Sequence, residues 1–369
     1  MIITILILVV VLGLIIFVHE AGHYFAAKKL GAAVEEFGFG FPPRIFGIKK
    51  KGTIYSINWI PFGGFVKIKG EGGDFKNDAD SFSNLKIWKR AVILSSGVFM
   101  NFVLAFILLS VGFFIGLPSV VTDNLPKDRM SDEKIQVLSI LDGSPAFEAG
   151  LEVGDNIITI DGKTFENVDD LIEYTSPKLN DTVKIEYIRG SESKTSDIVL
   201  KDLDDSGLGK MGAGLVETAI VSYPWYEAIY EGIKATFSVT WQIIVAFYEL
   251  LKNLIVKQTV PADISGPIGI AVMTSKVAKM GFIYLLQFTA LLSVNLMILN
   301  FLPFPALDGG RVFFLLIEKI RRKPISQKVE SMIHTIGFFI LIGLVLLVSI
   351  RDVSRFKENI FGFMRNLTG

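Results

Sequence analysis

Cysteine is missing altogether from the 369 residues, and histidine occurs only as His19, His23 and His334. The first absence excludes a disulfide framework and any thiolate metal site. Whatever metal the chain holds must be bound by His, Asp or Glu. An excess of either charge is missing too: Lys+Arg and Asp+Glu both number 37, so no global field favours nucleic acid or an acidic partner. Charged residues are only 20% of the chain, whereas apolar residues make up 51% and mean hydropathy is +0.50. The apolar residues also come in blocks, as expected of a membrane protein.

The first block, residues 1–17, is almost wholly apolar, and its helical pattern runs on through His19-Glu20-Ala21-Gly22-His23 to Lys28-Lys29. No positive charge precedes the run and no small-residue cleavage site follows it, so it reads as a membrane span and not as a cleaved leader. Lys28, Lys29, Lys49, Lys50 and Lys51 all follow the helix, which places the N-terminus outside and the next loop in the cytosol. A second span covers about 91–116, with Lys86, Lys89 and Arg90 marking its cytosolic end. A third covers about 281–304 and ends at Pro305-Ala306-Leu307-Asp308-Gly309-Gly310-Arg311, before a basic cytosolic stretch at 319–328. A fourth covers about 333–350; Arg351, Arg355, Lys357 and Arg365 after it run mildly against the charge rule. Segment 223–256 has a short apolar centre, 235–248, flanked by Glu227, Glu231, Lys234, Glu249 and Lys252, and is expected to lie on the membrane surface. The expectation is a polytopic α-helical membrane protein with about four transmembrane helices.

Two segments break this helical pattern. Residues 53–69 alternate loosely around Pro61 and Gly63-Gly64, which reads as a hairpin or looped strand pair. Residues 120–217 are polar and mixed in charge, with short β-branched runs such as Lys184-Ile185-Glu186-Tyr187-Ile188, and read as a soluble domain. Within it, Gly143-Ser144-Pro145-Ala146, Ala149-Gly150-Leu151, Gly154-Asp155 and Ile157-Ile158-Thr159-Ile160-Asp161-Gly162 resemble a PDZ domain of the bacterial protease type. That resemblance implies an inserted αβ module, in one copy, with a strand-addition groove for peptide ends. The expected divisions are 1–118, a PDZ domain at 119–217, membrane-surface helices and linker at 218–280, and a second membrane part at 281–369.

His19 and His23 are four residues apart, so on a helix they sit one turn above the other on one face, as two imidazoles must to share a tetrahedral zinc. Glu20 then lies beside the metal, where a carboxylate serves as general base toward the attacking water. Three ionisable groups inside an apolar helix cost roughly 2–3 kcal/mol each if left facing lipid, which is a high cost for a purely structural contact. His334, at the start of the last span, reads as an interfacial histidine without function. A catalytic zinc keeps three protein ligands and an open position. Asp308 is the best third candidate, because it ends an apolar span and Gly309-Gly310 let the backbone come close. At about 1.5 Å per residue His19 lies roughly 27 Å along a helix that starts outside, near the inner edge of a core about 30 Å thick. Asp308 reaches the same depth only if segment 223–256 makes no crossing.

These residues, with Gly97-Val98-Phe99-Met100-Asn101-Phe102, Ser265-Gly266-Pro267-Ile268-Gly269 and Asn300-Phe301-Leu302-Pro303-Phe304-Pro305-Ala306-Leu307-Asp308-Gly309-Gly310, resemble the site-2 protease family of intramembrane zinc metalloproteases, of the bacterial regulator-of-sigma-E protease type. The resemblance implies Zn2+ bound by His19, His23 and Asp308, Glu20 as general base, and Asn300 near the substrate backbone or oxyanion. Segments 36–43 and 61–70 resemble a re-entrant β-loop on the cytosolic side that presents substrate as an added strand. Phe37, Gly38, Phe39, Gly63, Gly64, Phe65 and Asn101 are then the expected substrate contacts. It further implies a bacterial cytoplasmic (inner) membrane location, with the PDZ domain extracytoplasmic. The implied partners are the lipid bilayer, peptide ends at the PDZ groove, and single-span membrane proteins already trimmed outside, such as anti-sigma factors and remnant signal peptides; nucleic acid is not among them. One PDZ copy departs from the two of the Gram-negative members. A non-cutting PDZ membrane adaptor or inactive relative is the rival reading, opposed by the intact His19, Glu20, His23 and Asp308. A transporter with a midplane metal site predicts internal repeats, which the sequence lacks.

Overall fold

The structure is a computed structural model that describes residues 2–75, 77–122, 125–190, 192–203, 210–257, 266–323 and 325–355. Ser265 of the quoted motif and Lys357 and Arg365 of the tail lie outside the described residues. The chain divides into two compact units, one of Met1–Ser110, Ile229–Ala278 and Leu285–Gly369, the other of Val111–Ala228 and Lys279–Tyr284.

In the first unit, α1 (Ile2–Leu30) and α2 (Ile87–Ile115) are apolar on all sides, the pattern of helices that face lipid and neighbours alike. Nothing in α1 breaks it before Gly31, which takes φ +93 as its N–H bonds back to Ala27 O at 3.1 Å, the left-handed ending that glycine supplies most cheaply. The two helices touch backbone to backbone at Gly22, where a Cβ would lie 2.3 Å from Ser96 O. Val11 and Ile15 cluster with Leu104, while His23 reaches Ile93, so α1 and α2 are antiparallel. Leu285, Leu292 and Leu296 of α7 (Phe282–Phe301) join that cluster, and Asn300 arrives beside His19. Helix α7 therefore runs parallel to α1, and it begins at the end of the bundle where α2 finishes.

Among the described residues five helices are long and apolar enough to cross a membrane: Ile5–Leu30, Ile87–Ile115, Trp225–Val256, Phe282–Phe301 and Gln327–Ser354. About four were expected. The difference is α5 (Trp225–Lys252), a continuous helix of 28 residues over the segment expected to lie on the membrane surface. Those charges sit near its two ends and break no hydrogen-bond ladder. A Cβ on Gly232 would meet Ser110 Oγ at 2.0 Å, and the Phe237 ring lies 5.0 Å from that of Phe102. As numbering rises along α5 it falls along α2, so α5 runs back beside α2.

Helix α6 (Pro267–Met280) starts where Asp352, near the end of α9 (Gln327–Arg355), accepts the N–H groups of Gly266 and Gly269 at 2.9 and 2.7 Å. The short amphipathic α8 (Asp308–Arg321) lies between α7 and α9 in sequence and buries Leu315 with Ala27, Ile93 and Leu94.

The hairpin signal is realised as β1 (Val34–Lys50) and β2 (Thr53–Ile68), each of which folds back on itself. Phe37 pairs with both Tyr55 and Val66, and Tyr55 pairs also with Ile48. The result is four short antiparallel runs, with 34–39 between 53–57 and 64–68, and 44–50 outermost. Reversals fall at Pro42-Pro43 and around Gly63, whose φ is +78.

The second unit is a six-stranded sheet in the order β3-β8-β4-β5-β6-β7, built from β3 (Leu117–Val120), β4 (Met130–Ile140), β5 (Asn156–Ile160), β6 (Thr182–Arg189), β7 (Glu192–Val199) and β8 (Ala213–Val221). Two short helices, α3 (Pro145–Glu148) and α4 (Val168–Thr175), are N-capped by Ser144 and Asn167. Val137, Ala146, Ile160, Leu171, Val183 and Ile185 form its core. Buried Asp155 takes a bidentate pair from Arg189, both contacts 2.7 Å, and a third bond from the Glu152 N–H.

Candidate metal centre

His19 and His23 project from one face of α1, as their spacing requires, and α8 carries Asp308 to them from 289 positions away. His19 Nε2 lies 3.0 Å from Asp308 Oδ2, His23 Nε2 lies 3.3 Å from the same oxygen, and the two Nε2 atoms are 3.1 Å apart. Ligands about 2.0–2.1 Å from a tetrahedral zinc are separated by about 3.3 Å, so this triangle is the size a zinc ion needs. Among the described residues it is the one group of His, Asp and Glu so disposed, with ligand atoms within 4.8 Å of one another. Both histidines are buried and Asp308 is half-buried.

The surroundings fit the metal as well. His23 donates from Nδ1 to the main-chain oxygen of Ile93 at 2.8 Å, which fixes the tautomer and leaves the Nε2 lone pair free. The Asn101 amide sits 3.4 Å from His19 Nδ1, and its oxygen is otherwise buried without a partner. Turned with that oxygen toward the ring, the amide accepts the Nδ1 proton and leaves His19 Nε2 to coordinate. Gly97 on α2 faces both imidazoles: a Cβ there would lie 2.4 Å from His23 Nε2 and 2.8 Å from His19 Nε2, in the space the metal and its ligands require. Two imidazoles and one carboxylate make a zinc-type donor set.

Glu20 follows His19 in the chain, and its Oε2 accepts the N–H of Val66 at 3.0 Å. That bond joins the proposed base to run 64–68, whose outer edge therefore faces the site. Asn300, at the end of α7, brings its amide nitrogen within 3.5 Å of His19 Nε2.

The expected substrate contacts separate into groups. Gly63, Gly64 and Phe65 lie at or next to the edge run beside α1, where a Cβ on Gly63 would strike Ile16 at 2.6 Å. Phe37, Gly38 and Phe39 lie in the run paired on both sides, which leaves their backbone no room to accept an added strand. Asn101 is fully buried, with its amide 3.4 Å from His19 Nδ1. Sequence reading missed the Ile93 carbonyl, since a main-chain atom has no residue signature, and gave Gly97 no role beyond its place in a motif.

The comparisons with known proteins agree with this chemistry. Residues 7–344 match the family described as Peptidase family M50. The chain belongs to that family. It is 37% identical over 340 residues to a Clostridium perfringens protein named as a zinc metalloprotease, an alignment covering 92% of this chain and 95% of the relative. It is 29% identical to the regulator of sigma-W protease RasP of Bacillus subtilis, covering 95% of this chain and 98% of that one. A solved PDZ domain of a Listeria monocytogenes protein is 36% identical over 23% of this chain and 90% of its own length, with a TM-score of 0.21. As an M50 member this chain is a zinc metalloprotease with membrane-type helices.

Proposed function

We propose that the chain is an intramembrane endopeptidase that binds zinc through His19, His23 and Asp308 and cuts single-span membrane proteins already trimmed outside. The observation that carries this reading is the convergence of those three ligand atoms inside a bundle of apolar helices, with Glu20 held between them and the outer run of a β-sheet.

Zinc in this donor set supplies a Lewis acid that polarises the scissile carbonyl and lowers the pKa of water. Glu20 takes the proton from the attacking water and returns it to the leaving nitrogen. The Asn300 amide donates to the oxygen on which negative charge develops. A helical substrate has its carbonyls tied up in its own hydrogen bonds and must unwind before it can be cut. Run 64–68 offers replacement bonds along the edge that faces Glu20, so the extended substrate lies across the base and the ligands. The soluble unit, read as a PDZ domain, takes peptide ends in a groove and selects clients without entering the chemistry.

The charge rule places the site near the cytosolic face and the soluble unit outside, in a bacterial cytoplasmic membrane. The name of the RasP relative, a regulator of sigma-W protease, supports a regulatory role; the client classes proposed are anti-sigma factors and remnant signal peptides. The test is cleavage of a single-span reporter lacking its outer domain by the purified, zinc-loaded chain in lipid nanodiscs, with Asp308→Ala as control. Cutting within or beside the span by the natural chain alone is expected. No cleavage of trimmed reporters or signal-peptide remnants at full zinc occupancy would overturn the proposal.

A further inference from the structure

His334 was read from sequence as an interfacial histidine without a task, and the structure gives it one. The turn that delivers Asp308 runs from Leu302 to Leu307, and Ala306 within it holds φ +79, a conformation that a residue with a Cβ rarely adopts. The turn has few internal ties there. Phe304 N–H bonds Leu302 O and Leu307 N–H bonds Phe304 O, while no side chain caps α8 at Leu307. The Ala306 N–H is satisfied from outside, by His334 Nδ1 on α9 at 2.8 Å.

A second contact reinforces the first. Gly337, three residues along and hence on the same face of α9, lies so close to the turn that a Cβ would sit 2.4 Å from Pro305 Cβ and 2.7 Å from Pro305 O. The Phe314 ring of α8 packs 5.4 Å from the His334 ring and holds it in place. The last helix thus grips the two residues Pro305 and Ala306, and Asp308 follows two positions later. Since Nδ1 accepts, the ring's proton is on Nε2, so the ring acts here as a neutral acceptor.

We infer that His334 is a positioning residue of the metal centre: by accepting the Ala306 N–H it holds the left-handed turn that places the Asp308 carboxylate against His19 and His23. The inference rests on the ligand assignment of the preceding section. Asp308 is the ligand that comes from outside α1, so its place depends on whatever holds the turn, and half an ångström of drift degrades a preorganised site. Outer-shell partners of metal ligands typically contribute about 10–100-fold in metal affinity when removed.

The test measures zinc affinity of the purified full chain in detergent by competition with a chromogenic chelator, for the natural chain and for His334→Ala, His334→Gln, His334→Asn and Asp308→Ala. The Asn side chain puts an acceptor oxygen near the Nδ1 position, whereas the Gln oxygen falls near Nε2. We expect about 10–100-fold weaker zinc binding for Ala and Gln, recovery toward the natural value for Asn, and a larger loss for Asp308→Ala. A thermal melt of each metal-free variant separates positioning from folding: loss of affinity at an unchanged melt supports the inference. If Asp308→Ala loses zinc while His334→Ala keeps full affinity, the inference fails and the ligand assignment stands. If Asp308→Ala keeps zinc, the ligand assignment itself fails. Equal losses for Asn, Gln and Ala would also overturn the inference, because the acceptor at Nδ1 would then have no particular part.

Discussion

Gly97 stands 2.4 Å, at the position its Cβ would take, from Nε2 of His23. The glycine belongs to α2 and the histidine to α1, so the approach of two helices is set by a missing side chain at the proposed metal site. Gly97→Ala is therefore expected to displace one or both imidazoles and weaken zinc binding by at least about 10-fold, in the range found for outer-shell changes. Alanine is a better helix former than glycine, so α2 itself should not suffer. Zinc content after dialysis against a graded chelator series checks this; an alanine variant that holds zinc as tightly as the natural chain would show that the imidazoles have room to spare.

Glu20→Gln is expected to give a folded, zinc-loaded chain that holds substrate without cutting it. The amide is nearly isosteric and keeps an oxygen for the Val66 N–H, now at 3.0 Å, so His19 and His23 retain their geometry. It cannot take a proton from water, and general-base assistance typically contributes about 10²–10⁴-fold. Co-purification of uncut single-span proteins, with metal analysis alongside, is the measurement. Near-normal cleavage at full occupancy would remove Glu20 from the chemistry.

How far the sequence reached can be judged at particular residues. The pairing of His19 with His23 needs only the 3.6-residue period of a helix, and depth along an apolar run was enough to direct Asp308 toward them. The separation of 289 positions could not be bridged by spacing alone; the bilayer, acting as a ruler, made it legible. The same ruler does not give the neighbours of α5, because charges near both ends of a helix look alike whether it lies flat or runs beside another helix. Its contacts at Gly232 and Phe237 with α2 are tertiary facts.

The β-segment was legible as a hairpin but not as a sheet in which Phe37 pairs on both sides. Double pairing depends on where the chain reverses, and Pro42-Pro43 and Gly63 mark a turn without saying which runs meet after it. Asn101 shows a related limit: its motif marks the residue without showing that it is buried against His19. His334 carried no signal at all, since its partner is the main chain of Ala306.

Asp352 is 1% exposed and its Oδ2 accepts two main-chain N–H groups, those of Gly266 and Gly269. Asp352→Ala would leave both donors buried without a partner, at a cost of about 1–3 kcal/mol each. Asp352→Asn keeps one acceptor oxygen and should lose about half as much. The apparent melting temperature in a fixed detergent, read for both variants, distinguishes them. Equal stability of the alanine variant and the natural chain would mean that the α6–α9 junction is held by other contacts.

The soluble unit offers a prediction in pH. Asp161 accepts from Lys178 Nζ at 2.6 Å, the Lys184 N–H at 2.8 Å and the Tyr174 hydroxyl at 3.0 Å. The Lys178 ammonium first, and then the Lys184 N–H, hold its carboxyl below the usual carboxylate range. A group whose folded value is depressed binds fewer protons folded than unfolded in acid, so its stabilisation is fully present above the unfolded value, about 3.9, and is lost as pH falls through the folded one. The pair is partly exposed, so the contribution is small, of the order of an exposed ion pair at about 0–1 kcal/mol. The Lys184 amide is the local reporter. Its hydrogen-exchange protection in the full chain, corrected for intrinsic rate, should exceed that of Asp161→Asn near neutral pH. The gap should narrow below about pH 4 as the natural carboxyl protonates. A gap that stays constant down to pH 2 would show that the charge on Asp161 contributes nothing to holding β6, and that the hydrogen bond alone accounts for the difference.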